Sequence, residues 1–296
     1  MKITHVRGNT YYIEATQSIP FYRLDGSDII LLDSGYKTLD REGLVALFEE
    51  NGFRVKGIVG SHIHIDHGGN HTFFQERDGT VIALPMVEAA IAVSPLTLKC
   101  CYYTWSTKQI VKSFDSLIVR PDIVFPQEDG LVTVCGVPFG IYDLPGHSPG
   151  HVGISTPDNV LYVADAVIGE ALLETAKLPT AYCYTYYLKS MLRLCDLKFD
   201  AYLLAHQGTY EQIAPLVKMN EDNLEGKAQK VLELLTRPMG MDEIIKTTWE
   251  AFGMRSNRLF RAAIYERNLR SFVEYLLDRG DLVFTLDSGV RKYSRV

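Results

Sequence analysis

Four side chains able to bind a metal fall within six residues of this chain, directly after an apolar run. Val55–Gly60 reads as a buried strand that leads into Ser61-His62-Ile63-His64-Ile65-Asp66-His67-Gly68-Gly69. His62 and His64 alternate with isoleucines, so on an extended exit both imidazoles point the same way and converge. Asp66 and His67 follow a turn and can face a second centre. Gly68 and Gly69 let the backbone leave tightly before a helix begins. Neutral imidazoles with a carboxylate suit Zn²⁺, and the same donors accept Fe or Mn.

Three other apolar runs end in a similar way. Pro145-Gly146-His147-Ser148-Pro149-Gly150-His151 follows a strand ending at Asp143, Val160–Val163 leads to Ala164-Asp165-Ala166, and Leu203-Leu204-Ala205 leads to His206. Strand ends are where a rigid scaffold presents reactive groups. Between them lie short strands with hairpin turns at Gly8-Asn9, Asp25-Gly26 and Pro157-Asp158-Asn159. Leu39–Asn51, Thr72–Arg77 and Tyr187–Leu197 read as helices, the first stopped by Gly52. Pro85 to about Gln127 reads as a long connection of helical pieces and loops. Strand-rich blocks closed by helices predict two sheets packed face to face with helices outside.

The order HxHxDH, Pro-Gly-His, Ala-Asp-Ala and a strand-ending His resembles the metal motifs of the metallo-β-lactamase superfamily over roughly residues 1–215. The resemblance implies an α/β fold, a four-layer αββα sandwich with its site on one edge. It implies two divalent ions, the first held by His62, His64 and His147, the second by Asp66, His67 and His206, with Asp165 bridging. A hydroxide between the ions would be the nucleophile, oriented by Asp66, which also shuttles a proton. Asp33 matches a supporting residue of the family. One departure is that Gly68-Gly69 follow His67 directly, where many members have an intervening residue; this bears on loop shape. His151 is read as a residue that holds the loop, and His5 and His71 as bystanders.

From about residue 216 the composition changes. Asn223–Thr236, Asp242–Phe252 and Asn257–Asp278 read as helical, and Leu282–Leu286 and Arg291–Ser294 flank a hairpin at Asp287-Ser288-Gly289. Helix, helix, helix, hairpin is the order of a winged helix, so residues 1–215 and 216–296 are expected to form a catalytic domain and a small winged-helix-like one. The chain carries a net charge of −6, divided as about −8 before residue 216 and +2 after it. Arg255, Arg258, Arg261, Arg267 and Arg270 form the best basic cluster and read as a solvated helix face. The extension itself reads as a homodimer contact or an active-site lid.

The leading reading is hydrolysis of an ester, thioester or lactone of a small metabolite, as in glyoxalase-II-like and lactonase-like relatives. The alternative is a phosphodiesterase or ribonuclease whose C-terminal domain binds nucleic acid, which the acidic front disfavours. A DNA-reading regulator is the third class, and the complete donor set argues against it. Among the tyrosines, the alternating Tyr182, Tyr184 and Tyr186 are the best candidates for a substrate mouth, whereas Lys177 and Lys189 read as solvated. The first residues lack the apolar core of a signal peptide, and no apolar run is long enough for a membrane span, which suggests a cytoplasmic protein. The five cysteines, with no CxxC pair, read as reduced and mostly buried thiols.

Overall fold

The computed structural model describes residues 1–256 and 258–296. Its first sheet has seven strands in sequence order: β1 (Lys2–Arg7), β2 (Thr10–Glu14), β3 (Ser18–Arg23), β4 (Asp28–Leu32), β5 (Arg54–Val59), β6 (Val81–Pro85) and β7 (Ile123–Phe125). The second has six: β8 (Gly130–Val134), β9 (Val137–Asp143), β10 (Val152–Ser155), β11 (Val160–Ala164), β12 (Ala201–Leu204) and β13 (Thr209–Tyr210). The hairpin turns at Gly8, Asp25-Gly26 and Pro157–Asn159 join antiparallel neighbours as expected. Strands β4 to β7 run parallel. Parallel strands need crossovers, supplied by α1 (Arg41–Asn51), α2 (Ile65–Gly68), α3 (His71–Asp78), α4 (Met86–Ala92), α5 (Pro95–Cys101) and α6 (Thr107–Phe114).

The run Ile29-Ile30-Leu31-Leu32 explains the layering. Successive strand residues face opposite sides, and here both sides are apolar. Ile29 and Leu31 pack outward with Leu44 and Phe48 of α1 and Phe74 of α3. Ile30 and Leu32 pack inward against Val134, Phe139 and Ile154 of the second sheet. The outer face of that sheet, with Leu161 and Val163, is covered by Met191 and Leu216. These belong to α8 (Tyr184–Arg193) and α9 (Ala214–Leu234), which follow the short α7 (Glu170–Leu173). The result is the expected four-layer αββα sandwich. Two short strands lacked a readable pattern: β7 of the first sheet lies within the long connection, and β13 of the second has only two residues.

The extension contains α10 (Met241–Ala251), α11 (Leu259–Asp278) and the hairpin of β14 (Leu282–Asp287) and β15 (Val290–Arg295). The sequence starts the last long helix at Asn257, which lies outside the described residues; from Leu259 it is one helix. Leu269, Phe272 and Leu276 of α11 share a core with Leu224 and Val231 of α9 and with Tyr184 and Tyr187 of α8. Ala263 of α11 belongs to the core beneath the first sheet. Arg267 departs from the solvated face expected of it, being only 5% exposed. Of the free cysteines only Cys101 is buried, so the expectation of mostly buried thiols fails. No described helix is long and apolar enough to cross a membrane.

Candidate metal centre

All four strand-end motifs meet at one edge of the sandwich. The backbone leaves β5 extended through His64 (φ −77°, ψ 161°) and then enters α2. His62 Nε2 therefore lies 3.1 Å from His64 Nδ1, which lies 2.8 Å from His147 Nε2. Asp66 and His67, one step into the helix, face the other way and meet Asp165 and His206. His67 Nε2 is 3.3 Å from Asp165 Oδ2, and His206 Nε2 is 3.6 Å from Asp66 Oδ2 and 3.7 Å from Asp165 Oδ1. Asp165 Oδ2 also stands 3.1 Å from His147 Nε2, so its carboxylate touches both groups.

The donor sets are His62, His64 and His147 on one side and Asp66, His67, Asp165 and His206 on the other, the donor atoms of each set lying within 4.8 Å of one another. Ligands on a tetrahedral ion with bonds of about 2.0–2.2 Å stand about 3.3–3.6 Å apart, close to this spacing. The hydrogen bonds fit a cation too. His147 Nδ1 donates to Thr180 O at 2.8 Å and His67 Nδ1 to Asp33 Oδ2 at 2.7 Å, which leaves each Nε2 with a lone pair directed inward. His67 Nε2 is buried with no hydrogen-bond partner. A buried polar atom of this kind is costly unless a partner meets it.

The electrostatics agree. Burial, with the nearby imidazoles of His67, His64 and His147, pushes His62 well below the usual histidine range. Burial and His147 do the same to His64. Both rings are therefore neutral donors. Burial opposes the charge on Asp165, yet His147, His67 and His206 outweigh it and hold the carboxyl well below its usual range. Burial likewise opposes a proton on His67, but Asp165, Asp66 and Asp33 raise it well above the usual value, a sign of local negative charge that calls for a cation.

Supporting residues fix these positions. Asp33 accepts from Ser61 N at 2.7 Å, Ser61 Oγ at 2.6 Å and, from across the sandwich, Tyr162 OH at 2.9 Å. With every oxygen so engaged, it orients His67 as expected of a supporting residue. His151 is fully buried; its Nδ1 faces Leu144 O at 3.1 Å and its Nε2 accepts from Asp165 N at 3.2 Å. Burial holds it down to about 3, so it stays neutral and can accept. His71 pairs with Ser34 Oγ at 2.7 Å, and His5 lies on the surface beside Gly8. Backbone strain concentrates here: Asp33 (φ 64°), Ala164 (φ 46°) and Gln207 (φ 83°) adjoin the site, whereas the other described non-glycine residues with positive φ occupy hairpin turns.

One supporting residue gave no sequence signal. Glu88 of α4 is fully buried and joins the two histidine loops, accepting from Ile63 N at 2.9 Å and from Ser148 Oγ and Gly150 N at 2.7 Å each. A glutamate on a helix reads as solvated until the fold turns it inward. Glu88→Ala would leave two buried amides unpaired, and we expect a loss of about 3 kcal/mol of stability, measured by urea unfolding. Glu88→Gln, which keeps an acceptor, should lose less than half as much. Equal losses would mean that burial volume, not the bonds, supports the loops.

Above the donors lies a cavity of about 310 Å³. Its walls include Ile65, Val167, Ile168, Leu172, Phe260 and Ile264, with Tyr36, Tyr102 and Tyr187 among the polar groups. The expected tyrosine set is not the one found. Tyr184 is fully buried in the core, and Tyr182 and Tyr186 are 39% and 54% exposed and do not line the cavity. Alternation was the wrong period, because α8 begins at Tyr184 and Tyr184, Tyr187 and Met191 form its buried face.

Known proteins share the fold that carries these residues. The family model described as Metallo-beta-lactamase superfamily matches residues 4–219. The chain is 22% identical over 196 residues to a hydroxyacylglutathione hydrolase of Haemophilus influenzae, covering 66% of this chain and 87% of that one. Among solved structures, a metallo-beta-lactamase family protein of Thermus thermophilus superposes with a TM-score of 0.69 at 20% identity, covering 95% of this chain and 94% of its own. A beta-lactamase domain protein of Burkholderia ambifaria gives 0.71 at 17% identity, covering 100% and 94%. At these identities the structures share the fold, extension included.

Proposed function

The chain belongs to the metallo-beta-lactamase superfamily of hydrolases, and from that premise we propose that it is a binuclear metal-dependent hydrolase cleaving an ester, thioester or lactone of a small metabolite. The observation that carries this reading is Asp165, whose carboxylate joins two donor sets beneath a cavity with mainly apolar walls. In it, His62, His64 and His147 would hold one ion, Asp66, His67 and His206 would hold the other, and Asp165 would contribute to both. Zn²⁺ is the first expectation for this donor chemistry. When bound, such ions polarise a carbonyl oxygen and lower the pKa of water towards 7.

The chain's own residues supply the rest. Asp66 is half-buried at the cavity floor, with one oxygen 3.6 Å from His206. It can accept the proton that attack releases and pass it to the leaving group. Gln17 fixes it by donating to its backbone carbonyl. The apolar walls hold the acyl part and exclude water, and their volume lies at the lower end for a small-molecule site. Support for a thioester comes from the curated relative, whose name is that of a thioester hydrolase.

The nucleic-acid alternative keeps the exposed Arg255, Arg258 and Arg261 but loses two arginines from its basic cluster. Arg267 is buried, and Arg270 pairs with Glu266 at 2.9 Å. The extension instead roofs the cavity through Phe260, Ile264 and Arg267 of α11, which favours the lid reading.

Two experiments test the proposal. Metal-loaded protein is assayed on thioesters, lactones, simple esters, β-lactams and a phosphodiester, with the highest kcat/KM expected among the first three. Faster cleavage of the phosphodiester would overturn the acyl reading. Chelation should abolish turnover and lower the Tm, because metal at about 100 times its Kd stabilises the fold by about 2.7 kcal/mol. Activity that survives complete metal removal would count against the entire mechanism.

A further inference from the structure

Arg267 has no role in the donor sets or in the strand-end motifs, yet it lines the same cavity. Its environment is unusual for a guanidinium. The residue is only 5% exposed, and its Nε is buried without a hydrogen-bond partner. Its two described hydrogen bonds are long, Nη1 to Cys101 O at 3.3 Å and Nη2 to Asn268 Oδ1 at 3.4 Å. Neither acceptor is charged. Among the described residues no carboxylate pairs with it, whereas its neighbour Arg270 pairs with Glu266. Withdrawing a guanidinium from water costs several kcal/mol unless an anion meets it.

The side chain is also held in place. The guanidinium carbon lies 5.7 Å from the centre of the Tyr102 ring, which is itself 6.3 Å from the His64 ring. Around it α11 is tied to neighbouring segments on two sides. Ser271 Oγ donates to Tyr182 O at 2.7 Å, and Thr104 Oγ1 donates to Ala263 O at 3.3 Å. A fixed fork of donors, reached past one aromatic ring from a metal-binding histidine, is suited to an oxyanion at the far end of a short substrate.

We propose that Arg267 binds an oxyanion of the substrate, so that the hydrolase acts on acyl compounds carrying a carboxylate a few atoms from the scissile carbonyl. The proposal rests on the hydrolase reading for its substrate half, and the anion half stands apart from it. A phosphate group in place of the carboxylate shares the same chemistry. The exposed Lys177 and Lys189 do not line the cavity and do not compete for this role.

The test uses metal-loaded full-length protein and the variants Arg267→Met and Arg267→Lys. Binding is measured first, by the thermal shift produced by glutarate and by inorganic phosphate. Wild type should be stabilised by glutarate and Arg267→Met should not, even though both retain the metals that could bind the anion directly. A shift with phosphate alone would assign the anion to a phosphoryl group, within the proposal. Equal shifts in wild type and Arg267→Met, or none in wild type, would overturn it.

Turnover is measured next on a pair of thioesters that differ only in a terminal carboxylate or its methyl ester. In Arg267→Met the KM for the acid should rise about 10²-fold with little change in kcat, while the neutral thioester changes by less than about threefold. Arg267→Lys should recover part of the loss. Equal losses on both thioesters would mean a structural role and overturn the proposal. If no thioester is cleaved but glutarate binding still depends on Arg267, the hydrolase reading fails while the anion site stands.

Discussion

Asp165→Ala should lower kcat/KM on the preferred acyl substrate by about 10³-fold or more and reduce bound metal from two equivalents to one or fewer. Both effects have one cause. The Asp165 carboxylate stands 3.1 Å from His147 Nε2 on one side and 3.3 Å from His67 Nε2 on the other, so its removal opens both donor sets together. Loss of Lewis-acid stabilisation is worth several kcal/mol, and each 1.36 kcal/mol is tenfold in rate. Asp165→Asn, nearly equal in volume, separates charge from packing and should be almost as inactive. Elemental analysis beside the kinetics is decisive: a variant with wild-type metal content and more than a tenth of the wild-type rate would remove Asp165 from the centre.

Gly146→Ala should have the largest effect on stability of any single methyl added near the site. Gly146 has φ +128°, a conformation that side chains rarely adopt, and an added Cβ would lie 2.1 Å from Tyr187 N and 2.4 Å from Tyr187 Cα. Those are backbone atoms in the first turn of α8, which cannot swing aside. Gly146 O also accepts from Tyr182 N at 2.8 Å and Cys183 N at 3.0 Å, so the helix start and the loop are locked together. Strain and overpacking together should cost about 4 kcal/mol, a fall in Tm of about 10 °C. Metal affinity should fall with it, because His147 follows directly. Gly136→Ala is the control: its φ is also positive (+82°), but nothing lies within 4 Å of the added Cβ. It should cost about 1 kcal/mol. If the two variants are equally stable, the close approach at Gly146 does not constrain the loop.

Much of the architecture could be read in advance because it follows from local pattern. The continuous run Ile29–Leu32 demanded burial on both faces, and the turns at Gly8, Asp25-Gly26 and Asn159 follow from residue types that tolerate positive φ. The cluster His62, His64, Asp66 and His67 is local too: an extended step and then a helical turn suffice to send two pairs of side chains in opposite directions. Where the reading missed, the period was ambiguous. Tyr182, Tyr184 and Tyr186 alternate as a strand would, but α8 begins in their midst and turns Tyr187 to the cavity.

The chain by itself therefore determined the fold class and which residue types stand at each strand end, since short-range periodicity and turn chemistry specify both. Only the tertiary structure decided that Glu88 joins two loops, that Tyr102 and Tyr187 rather than their neighbours face the cavity, and that Arg267 is buried without an ionic partner. Each of these depends on contacts between segments far apart in sequence. A lone Glu or Arg on a helix carries no local sign of whether its face meets water or another layer. That outcome is set by how the layers pack, and packing is a property of the assembled chain.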